Sequence, residues 1–156
     1  MYYFIVTLLT VALPFASIAL ERLLDPQASL LLLLGKWFVF WGIGARLLLA
    51  GLMQVRRPGF TAREILGIEA PAAEKLVSEL GFANLAFGIT GLLSLALPGW
   101  TPPAALAGGL FLLLAGLKHA RNPQRNGKEH LAMATDLFVA AMAVAYLIGL
   151  LLGAGR

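Results

Sequence analysis

The sequence predicts an all-α polytopic transmembrane helix bundle of about five spans plus a short interfacial helix. Of the 156 residues, 60% are hydrophobic and 13% charged, too little polar side chain to clothe a soluble globule of this size. Five apolar runs approach the roughly 20 residues that a helix needs to cross about 30 Å of hydrocarbon. Each run is bounded by charged or turn-forming residues, so one domain covers residues 1–156.

The first span is placed at residues 2–20, closed by Glu21-Arg22. No Lys or Arg precedes its apolar run, which argues for a retained span over a signal peptide despite the small residues Ser17 and Ala19. The second, residues 30–53, follows Asp25-Pro26 and ends at Arg56-Arg57-Pro58-Gly59. Thr61-Ala62-Arg63-Glu64 then has the spacing of a capping box, and Gly67 is placed to stop that short interfacial turn. The third span, residues 81–97, is the membrane part of a helix expected to begin at Pro71. Pro98 to Pro103, with an interfacial Trp100, turns the chain into the fourth span, residues 104–117, and the fifth covers residues 131–152.

Charge sets the expected orientation. The segments Gln54 to Leu80 and Lys118 to His130 hold Arg56, Arg57, Arg63, Lys75, Lys118, Arg121, Arg125 and Lys128, against Arg22 and Arg156 on the other side. Loops this rich in Lys and Arg stay in the cytoplasm, which predicts a multi-pass protein of the inner (plasma) membrane with a cytoplasmic N-terminus and an external C-terminus. The net charge of +4 is thus a topology signal and an anionic-lipid contact, not a nucleic-acid footprint. With no cysteine, thiolate metal sites and thiol redox chemistry are excluded.

Membrane helices associate through small residues, because lipid tails are as apolar as leucine. Ala141, Ala145, Gly149 and Gly153 recur every four residues in span five, while Ala104, Gly108 and Ala115, beside Ala105, Gly109 and Gly116, line span four. These faces predict close packing of spans four and five, or of one of them on a second copy.

Two cations interrupt span two. Lys36 and Arg46 each cost about 2.5 to 3.5 kcal/mol at a helix centre. The thirteen Leu, Ile, Phe and Val from Leu30 to Met53 only just offset that at about 0.3 to 0.6 kcal/mol each. Lys36 is near enough to the external end to reach Glu21 or Asp25. At 1.5 Å per residue, Arg46, Asn84 and Asp136 all fall roughly 7 Å to the cytoplasmic side of the midplane. This predicts an Arg46–Asp136 ion pair braced by Asn84, with Thr7, Tyr3, Gln54 and His119 toward the cytoplasmic mouth. Such a cluster serves either to satisfy buried charge and fix helix register or to carry function.

His119 and His130 flank one basic loop, and with Glu129 alone they fall short of a metal or haem ligand set. The sequence requires no cofactor, though a quinone is admissible. No phosphate loop, nucleophile elbow or zinc-protease motif is present.

The run Glu79-Leu80-Gly81-Phe82-Ala83-Asn84-Leu85-Ala86-Phe87-Gly88, the Ala62 to Gly67 element, Gly116-Leu117-Lys118-His119 and Asp136 together resemble domain-of-unknown-function family 6790 of small prokaryotic membrane proteins. The resemblance implies a membrane bundle and brings no activity with it. The family pattern has a His near Gln54 and an aromatic at Ile68, and this chain departs at both. In size and helical layout the chain is also similar to DoxX-like proteins, some of which are linked to quinone-dependent oxidation.

Three classes follow. A non-catalytic accessory, assembly or lipid-interacting protein leads, since no catalytic constellation emerges. A quinone-linked oxidoreductase subunit needs an apolar cleft reaching Arg46, His119 or Asp136, and a small oligomeric transporter needs a water path to Asp136. Expected partners are membrane lipids and a homo-oligomer or larger membrane complex.

Overall fold

The computed structural model describes residues 1–154; Arg156, counted above among the sparse external charges, lies outside them. Among the described residues the chain forms six helices and no strand: α1 (Tyr2–Leu24), α2 (Leu30–Arg56), the short α3 (Phe60–Ile65), α4 (Ala73–Leu93), α5 (Pro98–Ala120) and α6 (Gly127–Leu151). All but α3 are long and apolar enough to cross a membrane. The chain is therefore an all-α bundle of five membrane-length helices. One end carries α3 and the arginine-rich turns and is called the basic end below.

Turns and caps follow local chemistry. At Asp25-Pro26-Gln27 the Gln27 N–H donates to Asp25 Oδ1 at 3.0 Å, an Asx turn that separates α1 from α2. The α5–α6 turn is tied at both ends. Arg125 Nη1 donates to the carbonyls of His119, Ala120 and Asn122 at 2.7–3.0 Å, and Asn126 Oδ1 caps α6 by accepting the Glu129 N–H at 3.0 Å. Gly67 has φ +66° and ends α3 as expected. The capping box itself does not form: α3 starts at Phe60, one residue before Thr61, and the Glu64 carboxylate turns away to Lys128. Helix α4 begins at Ala73, two residues after Pro71.

Helix α2 is the hub. It touches α1, α4, α5 and α6, and its most extensive partner is α4, while α5 and α6 form the other long pair. The α2–α4 contact is carried by glycine. Gly44, Leu47, Gly51 and Gln54 lie buried at intervals of three and four, facing Val77, Gly81, Asn84, Gly88 and Gly91 at the same intervals, the spacing of a two-helix seam. A Cβ on Gly91 would sit 2.7 Å from the Gly44 Cα, and one on Gly88 would run into the Leu48 backbone. Backbones this close gain dispersion contacts that lipid cannot match.

Spans four and five do pack closely, through other residues than the expected seam. Gly109 meets Ala143 and Gly116 meets Leu137 and Asp136, while Gly108 turns to Ile43 of α2. Ala104 and Ala105 are buried and Ala115 is half-buried. On α6, Ala141 and Ala145 are exposed, Gly149 rests on Leu31 of α2, and Gly153 lies beyond the helix at φ +76°. The buried α6 face runs instead through Ala132, Thr135, Asp136, Val139, Ala140, Ala143 and Tyr146. Ala141 and Ala145 point outward because Asp136 and Tyr146 orient the opposite side of α6 toward α2.

Widened turns, in which an N–H reaches back five residues instead of four, interrupt α1 at Leu8–Ala12 and α2 at Phe38–Ala45. The first precedes Pro14, which has no N–H to return to Thr10. The second delivers Arg46 as the first residue of the regular helix beyond it.

Candidate functional site

Three polar pairs lie along α2, α4, α5 and α6. At the centre, Arg46 Nη2 bonds Asp136 Oδ1 and donates to Thr135 Oγ1 at 3.1 Å. The two charged side chains are 10% and 7% exposed. Thr135 lends a lone pair to the guanidinium while its own hydroxyl returns to the Leu131 carbonyl at 2.8 Å. Gly42, one turn before Arg46, lets α6 approach, with Val139 filling the space a side chain would take.

Asn84 does not brace that pair. Its Nδ2 donates to Gln54 Oε1 at 2.6 Å, a second buried node set in the glycine seam between Gly81 and Gly88. Antiparallel α2 and α4, with Gly44 against Gly91 and Gly51 against Gly81, bring Gln54, not Arg46, level with Asn84. Thr7 is exposed and Tyr3 is half exposed, so neither joins the cluster. Tyr2 is the span-one residue within electrostatic reach of Arg46 and Asp136, its ring 6.5 Å from Phe60 of α3.

His119 belongs to a third pair. Its Nδ1 lies 2.9 Å from Glu129 Oε1, and Asn122 Nδ2 donates to Glu129 Oε2 at 2.8 Å. Glu129 is only 4% exposed, so this knot locks the α5–α6 turn. His130 is exposed. No group of three metal-ligating side chains occurs among the described residues. Sequence reasoning missed Glu129 as a buried acid, Thr135 as a brace and the glycine face of α4. The last was readable in the alternating three and four intervals from Val77 to Gly91.

At the opposite end, Lys36 Nζ contacts both Glu21 oxygens at 2.7 and 2.8 Å, and Trp37 Nε1 donates to Glu21 Oε2 at 2.7 Å. This is the partner expected for Lys36, with an indole added.

At the basic end, α3 is strapped to its neighbours. Lys128 pairs with Glu64, Arg63 with Glu74 at 2.8 Å, and Asn126 Nδ2 donates to the Glu64 and Ile65 carbonyls. The hydrogen bond and charge of Lys128 hold the Glu64 carboxyl below its ordinary value of 4.5. A carboxyl depressed by folding supports the fold above its unfolded value and loses that support as pH falls through the lower folded value. Protection of the amides of residues 60–65, taken relative to their intrinsic exchange rates at each pH, is therefore expected to fall below about pH 4.5 and stay unchanged from pH 6 to 8. Glu64→Gln removes that acid-dependent component; an identical acid response in the variant would exclude the Lys128 contact as its source.

Two open depressions flank this strap. One is lined by Arg56, Arg57, Phe60, Arg63 and Glu74, the other by Tyr3, Glu64, Asn126 and Lys128.

The model of a family of unknown function, DUF6790, matches residues 1–156, the whole chain. This protein belongs to that family. No curated protein and no solved structure matches it. In this DUF6790 chain the most specific run of the resemblance, Glu79 to Gly88, has a physical meaning. Gly81 and Gly88 admit the α2 backbone, and Asn84 between them holds Gln54.

Proposed function

We propose that this chain is a non-catalytic membrane protein, accessory or assembling in role, that acts through a cytoplasmic basic end on anionic lipid. The observation that supports this is charge matching within the apolar helices: Asp136 is met by Arg46 and Glu21 by Lys36. A carboxylate already neutralised by a guanidinium is poorly suited to relay protons or hold a cation. The cations of the basic end are only partly matched, so their field is directed at the membrane surface.

A quinone-linked role is the second reading, favoured by one atom. Arg46 Nη1 is buried with no acceptor among the described residues, and a quinone oxygen would satisfy it.

Native mass spectrometry of the full chain, with extraction of bound small molecules, separates the two. Phospholipid alone is expected; a stoichiometric quinone, flavin or haem would overturn the non-catalytic reading. Orientation has its own test, helped by the lack of native cysteine. In intact cells a membrane-impermeant maleimide is expected to label Gly99→Cys and spare Gln124→Cys; the reverse pattern would put the basic end outside.

A further inference from the structure

The hub helix α2 is not enclosed along its whole length. Helix α1 packs on the first half of α2 as far as Phe38–Ala45, and its opening segment, Tyr2–Thr7, packs on α6 instead. On the half of α2 nearest the basic end, Leu49 and Met53 are therefore left 45% and 41% exposed, although Leu47, Gly51 and Gln54 on the same turns are buried. Leu49, Met53 and Arg56 follow one another at four and three residues, so they form one stripe down the helix.

That stripe ends in cations. Arg56 closes α2, Arg57 follows in a non-helical conformation, and both are exposed. No carboxylate pairs with either among the described residues, whereas the neighbouring Arg63 is committed to Glu74. Both line the depression floored by Pro58, Gly59 and Phe60. The distance from Leu49 to Arg56 is about 10 Å at 1.5 Å per residue, within the roughly 15 Å of one leaflet's hydrocarbon.

We infer that the open side of α2 at the basic end is a binding slot for a single anionic phospholipid, its acyl chain along Leu49 and Met53 and its phosphate held by Arg56 and Arg57. The chemistry is complementary at both ends. An apolar stripe takes the chain, and two unpaired guanidiniums at its foot take a phosphate by forked hydrogen bonds. A zwitterionic lipid offers the same phosphate with an attached cation that two arginines repel. The slot rests on the lipid-interacting reading above, and goes beyond it by naming site, lipid class and residues.

Native mass spectrometry of the full chain in mild detergent, titrated with phosphatidylglycerol or phosphatidylcholine, tests it. The expected result is one tightly retained phosphatidylglycerol. In Arg56→Gln/Arg57→Gln its apparent affinity falls about thirtyfold, from a roughly five- to sixfold contribution of each basic residue near the surface. Leu49→Trp, which fills the stripe and leaves the arginines, is expected to weaken retention of the lipid without changing the melting temperature. Exposed Arg121→Gln at the same end serves as the charge control and should be silent. Equal losses from Arg121→Gln and the double variant would overturn the slot in favour of diffuse attraction. Full competition by millimolar inorganic phosphate would overturn it in favour of a free-anion site. Retention of phosphatidylglycerol with no response to any of these changes removes the slot while leaving the lipid-interacting reading standing; a stoichiometric quinone removes that reading instead.

Discussion

Asp136→Asn is expected to lower the melting temperature of the detergent-solubilised protein by on the order of 10 °C, and Arg46→Met with Asp136→Leu to restore most of the loss. The single change leaves a guanidinium 10% exposed without its counter-charge, and breaking a buried pair by removing one partner costs about 3–5 kcal/mol. For a chain of this size each kcal/mol is worth roughly 2–4 °C. The double change removes both desolvation penalties together and fills the space with apolar atoms, which costs little in a core already lined by Val139 and Leu47. The interaction term from the full cycle, not either single effect, measures the pair. A single variant that melts like wild type would show that the two side chains do not depend on one another.

The second large effect lies in the glycine seam. Gly91→Leu is expected to destabilise the bundle by roughly 3 kcal/mol or more, at or beyond the upper end of ordinary overpacking. Its new side chain meets Gly44 backbone atoms at 2.7 Å, and backbone cannot rotate away as a side chain does. Parting α2 from α4 also separates Asn84 from Gln54 and leaves two amides in an apolar interior. Gly99→Ala is the matched control, since nothing lies within 4 Å of the added carbon. Thermal melts of both variants in one detergent decide the matter: equal stability would mean that α2 and α4 do not approach through this face.

The two experiments probe different parts of the same design. Arg46 ties the hub to α6, and the glycines tie it to α4, so α2 is fixed on two sides by unlike forces. Its first half receives α1 through the edge-to-face contact of Phe38 with Phe15 at 5.4 Å, and Phe138 of α6 meets the same ring at 5.6 Å. Near the basic end the stripe of Leu49 and Met53 is left exposed, as are Leu30 and Leu32 at the start of the helix.

Helix number and class were legible in the sequence because hydropathy and charge are local properties: each apolar run must cross or be buried, and each turn residue acts within a few positions. The Arg46–Asp136 and Lys36–Glu21 pairs were legible too, since an embedded charge has so few partners to choose from. Facing was not. Depth counted from span centres puts Asn84 beside Arg46, whereas the antiparallel pairing of α2 with α4 sets it level with Gln54, and the outward stripe of Ala141 and Ala145 has the same spacing as a true packing seam. Which side of a helix turns inward depends on its angular position against several neighbours at once, shifted here by the widened turn at Phe38–Ala45. That choice is made by packing between segments far apart in the chain, so the tertiary structure alone decided how the glycines of α4, the buried acid Glu129 and the open side of α2 are arranged.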